Sequence, residues 1–205
     1  MKVAVVGGTG SFGQAVAKRL VEAGVEVVIG SRDAERAREA ALELGAEGRE
    51  NADAVRGVDL VLLAVKADAA VETASELREK IGRTPVLSVA AELTFGPGGV
   101  KPTEEPTSVA QRIQAVLEGP VVAGLHSLAA ASLSTQPADE DALVCGDDAD
   151  AKALALELAS RLVTGRAVDA GPLASARALE GMTAVIVNVN KRYKAHAGLR
   201  VTGLH

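Results

Sequence analysis

Three glycines near the start of the chain have the spacing of a nucleotide-binding turn. The segment VAVVGGTGSFG at residues 3–13 places an apolar strand directly before Gly8, Gly10 and Gly13. Glycines at this spacing permit a tight turn and let the backbone approach a pyrophosphate, while the helix that follows directs its free N–H groups at the phosphates. The spacing therefore predicts that this turn binds a dinucleotide.

A second informative segment, GSRD at residues 30–33, follows one helix and one further strand. An acid at the end of that strand would hold a free ribose 2′-hydroxyl, whereas the Ser31 hydroxyl and the Arg32 guanidinium suit a 2′-phosphate. Arg36 adds a second guanidinium, and Asp33 is better explained as the N-cap of the next helix. The segment favours NADP(H) over NAD(H), the alternative being that Arg32 is a solvated loop charge.

Outside this cofactor-binding half, one histidine is placed for chemistry. Of the three histidines, only His126 directly follows a predicted strand, and in that position it is either a buried structural residue or part of the site. The sequence contains no serine elbow, no HExxH and no Cys/His pair at metal spacing. Hydride transfer between two bound cofactors would need positioning and exclusion of water more than acid–base groups.

Bulk composition limits the class of protein. The chain has 205 residues, of which 48% are hydrophobic, enough for one substantial core. A net charge of −5 gives no electrostatic reason to expect nucleic acid or an anionic membrane as a partner. No apolar run has spanning length, residues 1–6 already have the pattern of a strand, and Cys145 cannot form an internal disulfide. We expect a cytoplasmic protein.

The elements that must position these residues alternate between strands and helices. Short runs rich in Val and Leu are typical of parallel strands covered on both faces. The predicted strands cover residues 2–7, 25–30, 60–65, 86–89, 121–125, 142–146 and 166–170. The predicted helices include residues 14–23, 34–44, 70–81, 108–117 and 149–163. This order predicts an α/β fold, a doubly wound and mostly parallel Rossmann sheet with right-handed crossovers.

In an open α/β sheet the ligand crevice lies beyond the carboxyl ends of the strands. The segments predicted to form it are residues 7–13, 30–32, 65–68, 89–93, 125–131 and 169–173. Residues 94–107 hold three prolines and three glycines and are predicted to form a loop, and residues 132–141 form a second break.

The C-terminal part differs from the alternating pattern. Residues 175–195 carry helix formers around the apolar run MTAVIVNV, and a helix that is apolar on most sides is buried on several of them. We expect a second subunit to cover part of it, which makes the protein a homodimer. The predicted division is an NADP-binding Rossmann domain at residues 1–170 and a small helical extension at residues 171–205 that dimerises.

Five blocks of sequence together resemble one known family. GGTGSFG and GSRD are followed, in order and over nearly the whole chain, by VVAGLHSLAAA, LVCGDD and VDAGPLASARALE. The chain resembles the NADPH-dependent coenzyme F420 reductases, also called F420H2:NADP oxidoreductases. In that family a Rossmann domain binds NADP, and a small C-terminal helical part closes the cleft. A hydride passes there between nicotinamide C4 and C5 of the 8-hydroxy-5-deazaflavin ring.

The resemblance implies roles for individual residues and two small-molecule cofactors as substrates, NADP(H) and coenzyme F420. The implied phosphate contacts are Thr9, Gly10, Ser11 and Phe12, and the implied 2′-phosphate contacts are Ser31, Arg32 and Arg36. The segment implied to border the nicotinamide ribose runs from Val65 through Lys66 and Ala67 to Val71. The loop where both rings meet is implied to be His126, Ser127, Leu128, Ala129 and Ala130.

Other interpretations remain open on the sequence. Lys66 faces the acidic deazaflavin tail, the NADP phosphates or only solvent. An NADPH-dependent reductase of a small imine or carbonyl would need a proton donor, for which only His126 or Lys66 is placed. A non-catalytic NADP-sensing module would bind NADPH without turnover and would need an apolar partner surface.

Overall fold

An eight-stranded sheet forms the centre of the molecule in the computed structural model, which describes residues 1–204. The C-terminal end of the predicted extension, residue 205, lies outside the described residues. The strands are β1 (Lys2–Val6), β2 (Glu26–Ser31), β3 (Glu47–Glu50), β4 (Leu60–Leu63), β5 (Val86–Ser88), β6 (Leu93–Gly96), β7 (Gly99–Pro102), β8 (Val121–Gly124), β9 (Ala142–Gly146) and β10 (Ala167–Asp169). The order in the large sheet is β10-β9-β8-β5-β4-β1-β2-β3, and β6 and β7 form a separate hairpin.

Helices cover both faces of the sheet, which confirms the predicted doubly wound α/β fold. They are α1 (Ser11–Glu22), α2 (Ala34–Leu44), α3 (Asn51–Ala54), α4 (Ala67–Ile81), α5 (Val109–Gln114), α6 (Ala130–Thr135), α7 (Ala149–Ser160) and α8 (Ala176–Tyr193). Alternate residues of β1 enter two separate cores: Val3 and Val5 pack on the side of α1, and Ala4 and Val6 on the side of α4. Burial on both faces explains why β1 reads as a continuous apolar run.

The last two strands of the large sheet run against the others. β9 pairs antiparallel with β8, with Val122 opposite Gly146, and β10 is parallel to β9. A parallel pair needs a crossover connection, but here the chain turns back at the carboxyl end of β8, where Leu125 N donates to Leu143 O at 3.2 Å. The carboxyl end of β10 therefore lies at the opposite end of the strands from the crevice. The expectation that residues 169–173 border the crevice is wrong.

The strand β3 was not predicted. Its sequence is EGRE, and none of its four residues is buried. An edge strand with polar side chains on both faces has no apolar alternation to reveal it. It forms because Ser31 and its neighbours in β2 leave a free edge, where Ser31 is paired with Glu50.

A hairpin and a short helix occupy the two segments predicted as a loop and a break. In the β6–β7 hairpin Gly96 is opposite Gly99, and a two-residue turn joins the strands. The hairpin is held against α8 by Asn188, whose Oδ1 accepts from Val100 N at 2.8 Å and whose Nδ2 donates to Val100 O at 2.7 Å. The second segment begins inside α6, which packs against α1.

The predicted C-terminal helix is present as α8, which packs on β7, β8, β9 and α5. Glu180 is buried in this contact and accepts from Val109 N at 3.1 Å and from Ala110 N at 3.2 Å, at the start of α5. Burial raises the pKa of Glu180, and the two backbone donors oppose that shift. Val185 of the same helix is 59% exposed, so the chain itself covers only part of the apolar run.

Beyond α8, residues 195–204 form an extended segment, here called the C-terminal strap, which lies along Asp139–Asp141. Asp141 N donates to Leu199 O at 2.7 Å, and Val201 N donates to Asp141 Oδ2 at 2.9 Å. Arg166 N donates to Asp141 Oδ1 at 2.8 Å. The backbone N–H groups of Arg166 and Val201, with the Arg166 guanidinium, lower the pKa of Asp141 to about 2.

This hydrogen bonding predicts how stability depends on pH. The folded-state pKa of Asp141 lies below the ordinary 3.8, so its ionised form stabilises the fold at neutral pH, and that contribution disappears as the pH falls towards 2. We expect Asp141→Asn to lower the urea midpoint of unfolding at pH 7, with the gap from the unmodified protein closing as the pH falls from about 4 to about 2. Unfolding followed by circular dichroism measures this, with exposed Glu118→Gln as the control. A gap independent of pH would contradict the assignment.

Candidate functional site

The glycine turn after β1 has no room for side chains. A Cβ on Gly8 would lie 2.8 Å from Val5 O, and a Cβ on Gly13 would lie 2.5 Å from Gly7 O. Gly10 is the N-cap of α1 and contributes no side-chain cap, so the first N–H groups of α1 are free to bind an anion. The geometry of this turn suits close approach of a pyrophosphate to the backbone.

A cleft of about 820 Å³ opens beside this turn at the carboxyl ends of β1, β2 and β4. It brings together seven of the predicted cofactor-binding residues: Thr9, Gly10, Ser31, Arg32, Arg36, Val65 and Lys66. Its other lining residues are Gly7, Asp33, Asn51, Ala64, Asp68, Ala69, Glu72 and Thr73. The cleft lies where the rule for open α/β sheets puts a ligand.

The end of β2 presents one hydroxyl and two cationic side chains to this cleft. Ser31 is 8% exposed and its Oγ accepts from Asp33 N at 3.2 Å. Asp33 caps α2, accepting from Glu35 N at 2.9 Å and Arg36 N at 3.2 Å, as the sequence predicted. Arg32 and Arg36 are exposed, and no acidic partner is within ion-pair distance of either in the described part of the chain. Both guanidiniums are available to a phosphate.

Lys66 occupies the other wall of the cleft. It is exposed, lies at the N-cap of α4 and forms no ion pair within residues 1–204. Ala67 and Val71 pack against the core behind it. Of the segment predicted to border the nicotinamide ribose, Val65–Val71, the structure brings Val65, Lys66, Asp68 and Ala69 to the cleft but not Ala67 or Val71.

Two residues of the glycine turn also lie away from this cleft. Phe12 packs against the core on the side of α1. Ser11 lines a second cavity of about 370 Å³, which also includes Ala130 and Ala131 of α6. The end of the predicted loop after β8 therefore approaches the glycine turn at Ser11, in the first turn of α1, and does not line the cleft that contains Arg32.

A strained residue precedes His126. Leu125 has φ +66°, in the left-handed region that a bulky residue rarely adopts, and its side chain is buried. The turn is fixed by Leu128 N donating to Leu125 O at 3.1 Å and by Thr183 Oγ1 of α8 donating to the His126 carbonyl at 2.9 Å. The loop is thus held by both β8 and α8.

The environment of His126 determines its protonation. The side chain is 7% exposed, and burial lowers its pKa to about 4 although its contact with Ala90 O opposes the shift. Nε2 lies 3.3 Å from Ala90 O and must carry the hydrogen to donate there. Nδ1 is then an acceptor, and it is buried without a partner in the described structure. At neutral pH His126 can accept a hydrogen bond but is a poor source of protons.

The rest of this loop is mostly apolar and enclosed. Ser127 and Leu128 are buried, and Ala129 and Ala130 are partly exposed. The Ser127 hydroxyl has no well-formed hydrogen bond, although it lies close enough to the Glu140 carboxylate to lower the pKa of that group, which burial raises. A loop of this kind can exclude water from a bound ring.

Three residues that also line the cleft were not predicted from the sequence: Asn51 of α3, and Glu72 and Thr73 of α4. Asn51 follows β3, the strand that had no sequence signal, so nothing along the chain placed it near Ser31.

No group of three metal-ligating side chains is found within residues 1–204. No helix in that part of the chain has the length and apolar content to span a membrane.

These residues fit NADP(H) on geometric grounds. The glycine cradle and the free N–H groups of α1 match a pyrophosphate, and Ser31, Arg32 and Arg36 offer a hydroxyl and two cations for a 2′-phosphate. No carboxylate ends β2 in the position that would hold a free 2′-hydroxyl, because Asp33 is engaged in capping α2.

The assignment of Arg32 can be tested by binding. Arg32→Ala is expected to weaken NADPH binding by about 1.5–3 kcal/mol, the range for hydrogen bonds to charged groups, and to leave NADH binding almost unchanged. Titration of nicotinamide fluorescence measures both constants. Arg38→Ala, at an exposed arginine of α2 that does not line the cleft, is the control. Equal losses for NADPH and NADH would refute a 2′-phosphate contact.

Comparison with known proteins extends beyond this cleft. A family model described as NADP oxidoreductase, coenzyme F420-dependent, matches residues 2–92. The F420-dependent NADP reductase of Methanocaldococcus jannaschii is 34% identical over 100% of this chain and 99% of its own length. The enzyme of the same name from Methanothermobacter marburgensis is 36% identical over 100% of this chain and 99% of its own length.

Solved structures give the same picture at lower sequence identity. A protein from Arthrobacter sp. FB24 that was assigned as an F420-dependent NADP reductase has a TM-score of 0.85 and 25% identity, covering 100% of both chains. An imine reductase from Streptomyces aurantiacus shares the fold, with a TM-score of 0.64 and 20% identity over 95% of this chain and 62% of that one. Full-length identity above 30% with the two archaeal enzymes, together with the cleft after β1 and β2, shows that the chain belongs to the family of F420-dependent NADP reductases.

Proposed function

We propose that this protein transfers a hydride between NADP(H) and coenzyme F420. The observation that carries the proposal is the cleft in which a glycine cradle, Ser31 and two unpaired arginines meet, in a chain that matches F420-dependent NADP reductases along its whole length. Its two substrates are small molecules. The proposed site residues are those predicted from the sequence, except that Ser11, Phe12, Ala67 and Val71 do not line the cleft.

The proposed roles follow from where each group lies. The N-terminus of α1 and Thr9 bind the pyrophosphate, and Ser31, Arg32 and Arg36 bind the 2′-phosphate, so the adenosine half of the cofactor is anchored. When bound, NADP(H) supplies or accepts the hydride at its nicotinamide ring. Anchoring one reactant through groups remote from the reacting atoms lets the protein use binding energy for orientation.

The loop from His126 to Ala130 is proposed to receive the reacting rings. Its apolar residues exclude water, and the neutral His126 offers Nδ1 as a buried hydrogen-bond acceptor that fixes a bound N–H group. Since the pKa of His126 is about 4, its role is to position and not to protonate. Lys66, on the dinucleotide side, is assigned to the NADP phosphates and not to the deazaflavin tail.

The structure favours this reaction over the reduction of an imine or carbonyl. That chemistry needs a proton donor, and the two side chains considered for it are His126, which is neutral at pH 7, and Lys66, which lies in the dinucleotide cleft. Likeness to the imine reductase extends to the fold only. No observation favours a sensor without turnover.

Absorbance tests the proposed reaction directly. Mixing the protein with NADPH and oxidised coenzyme F420 is expected to bleach the deazaflavin band near about 420 nm, whereas NADH should bleach it far more slowly because it cannot use Arg32 and Arg36. NADPH binding without bleaching would mean that coenzyme F420 is not the second substrate.

The same assay tests the proposed role of His126. His126→Ala should lower turnover with little loss of NADPH affinity, and unchanged turnover would assign His126 to the structural core.

We also propose that α8 pairs with its copy in a homodimer, and that residues 171–205 form the part that closes the cleft and dimerises, next to a Rossmann domain at residues 1–170. Support comes from Val185, Val189 and Tyr193, which share one side of α8. Val185 is 59% and Tyr193 is 71% exposed. A cytoplasmic location without nucleic-acid partners belongs to the same proposal and rests on the substrates and on a net charge of −5.

Sedimentation tests the homodimer. The unmodified protein is expected to sediment as a dimer at micromolar concentration, and Val185→Glu to sediment as a monomer because a charge would be buried at the contact. Leu42→Glu, an exposed apolar residue on α2, is the matched control and should leave the dimer intact. A monomeric unmodified protein would overturn the proposal.

A further inference from the structure

Asn51 is a buried polar residue of the cofactor cleft that has no role in the phosphate contacts assigned so far to the glycine turn, Ser31 and the arginines. It begins α3 directly after β3, it is 8% exposed, and it lines the cleft of about 820 Å³. Its Oδ1 is buried and accepts no hydrogen bond in residues 1–204. Buried amide oxygens normally accept a hydrogen bond, so this one, at a binding cleft, points to a donor supplied by the ligand, such as a ribose hydroxyl. A phosphate oxygen would pair with the N–H groups of the same amide.

The neighbours of Asn51 define which part of a ligand it faces. Glu50 is paired with Ser31 across β2 and β3, so Asn51 follows immediately at the end of β2 where Ser31 and Arg32 meet the cleft. A Cβ on Gly30 would lie 2.9 Å from Asn51 Oδ1. The amide therefore rests over the backbone of Gly30, and glycine at that position leaves the space that the Asn51 side chain needs.

We propose that Asn51 is a specificity-determining residue for the adenosine end of the cofactor, hydrogen-bonding the 2′-phosphorylated ribose beside Ser31 and Arg32. A side-chain amide carries donors for phosphate oxygens and an acceptor for a ribose hydroxyl on one planar group. The inference rests on the proposed placement of NADP(H) in this cleft. It adds a neutral contact from the start of α3 to the two cationic contacts, which come from Arg32 after β2 and from Arg36 on α2.

The alternative is a role confined to folding. Asn51 O accepts from Val55 N at 3.3 Å within α3, and the side chain fills space above Gly30. A residue with only that role would affect every ligand of the cleft to the same extent. Discrimination between ligands that differ in the 2′-phosphate alone is therefore the readout that separates the two roles.

The experiment measures equilibrium binding to Asn51→Asp and Asn51→Leu. NADPH and NADH are titrated by fluorescence, and 2′,5′-ADP and 5′-AMP by competition, so that neither turnover nor coenzyme F420 enters the measurement. In Asn51→Asp a carboxylate faces the 2′-phosphate, and we expect NADPH and 2′,5′-ADP to bind at least about tenfold more weakly. In Asn51→Leu, which keeps the volume but not the hydrogen bonds, we expect a loss of roughly three- to tenfold.

Binding of NADH and 5′-AMP is expected to stay within about twofold in Asn51→Asp, which keeps an acceptor for a ribose hydroxyl. In Asn51→Leu it is expected to fall by a smaller factor than the binding of NADPH and 2′,5′-ADP. Retained binding of NADH and 5′-AMP also shows that the variants are folded. Asp53→Asn, an exposed position on the same short helix that does not line the cleft, is the matched control and should change none of the four constants. If Asn51→Asp does not fold, Asn51→Leu alone decides. Equal losses for ligands with and without the 2′-phosphate, or no loss at all, would overturn the assignment.

The outcomes also separate this inference from the proposed function. If the unmodified protein binds neither NADPH nor 2′,5′-ADP, the placement of NADP(H) fails, and the inference fails with it. If NADPH binds and coenzyme F420 is not bleached, the proposed reaction fails, whereas the role of Asn51 is still decided by the four binding constants.

Discussion

Close backbone contact at the glycine turn is the constraint on which the rest of the site depends. Because Gly13 lies against the backbone of Gly7, α1 can pack closely on the end of β1, and the free N–H groups of its first turn lie beside the cleft. The same helix supports α6, with Lys18 Nζ donating to Ser134 O at 2.9 Å. A side chain at Gly13 would thus displace both the phosphate-binding turn and the helix that ends the His126 loop.

The sequence predicted the elements of the fold that have strong apolar periodicity. It did not predict a strand that forms only because it pairs with a neighbouring strand. The strands of the central sheet were recognised from runs of Val and Leu, but EGRE became a strand only because β2 offers a free edge. The direction of β9 was equally hidden. Its apolar pattern is the same whichever way it runs, and only the pairing with β8 shows that it is antiparallel.

The candidate site was predictable where it depends on residue type along one segment. The glycine motif and the residue types at the end of β2 were enough to predict Thr9, Ser31, Arg32 and Arg36. Asn51 was not, because its place in the cleft comes from the pairing of β3. For His126 the position was predictable and the protonation was not, since its low pKa results from burial of the side chain, which the contact with Ala90 O only partly offsets.

The C-terminal strap has a consequence for the way the chain folds as it is synthesised. Asp141 directly precedes β9 but receives one of its backbone hydrogen bonds from Val201, sixty residues later in the chain, and the Glu140 carboxylate receives one from Leu199 N. Neither carboxylate has its full set of partners until that part of the chain has left the ribosome. The hydrogen bonds from Leu199 and Val201 can therefore form only after the glycine turn and every strand of the sheet have been synthesised.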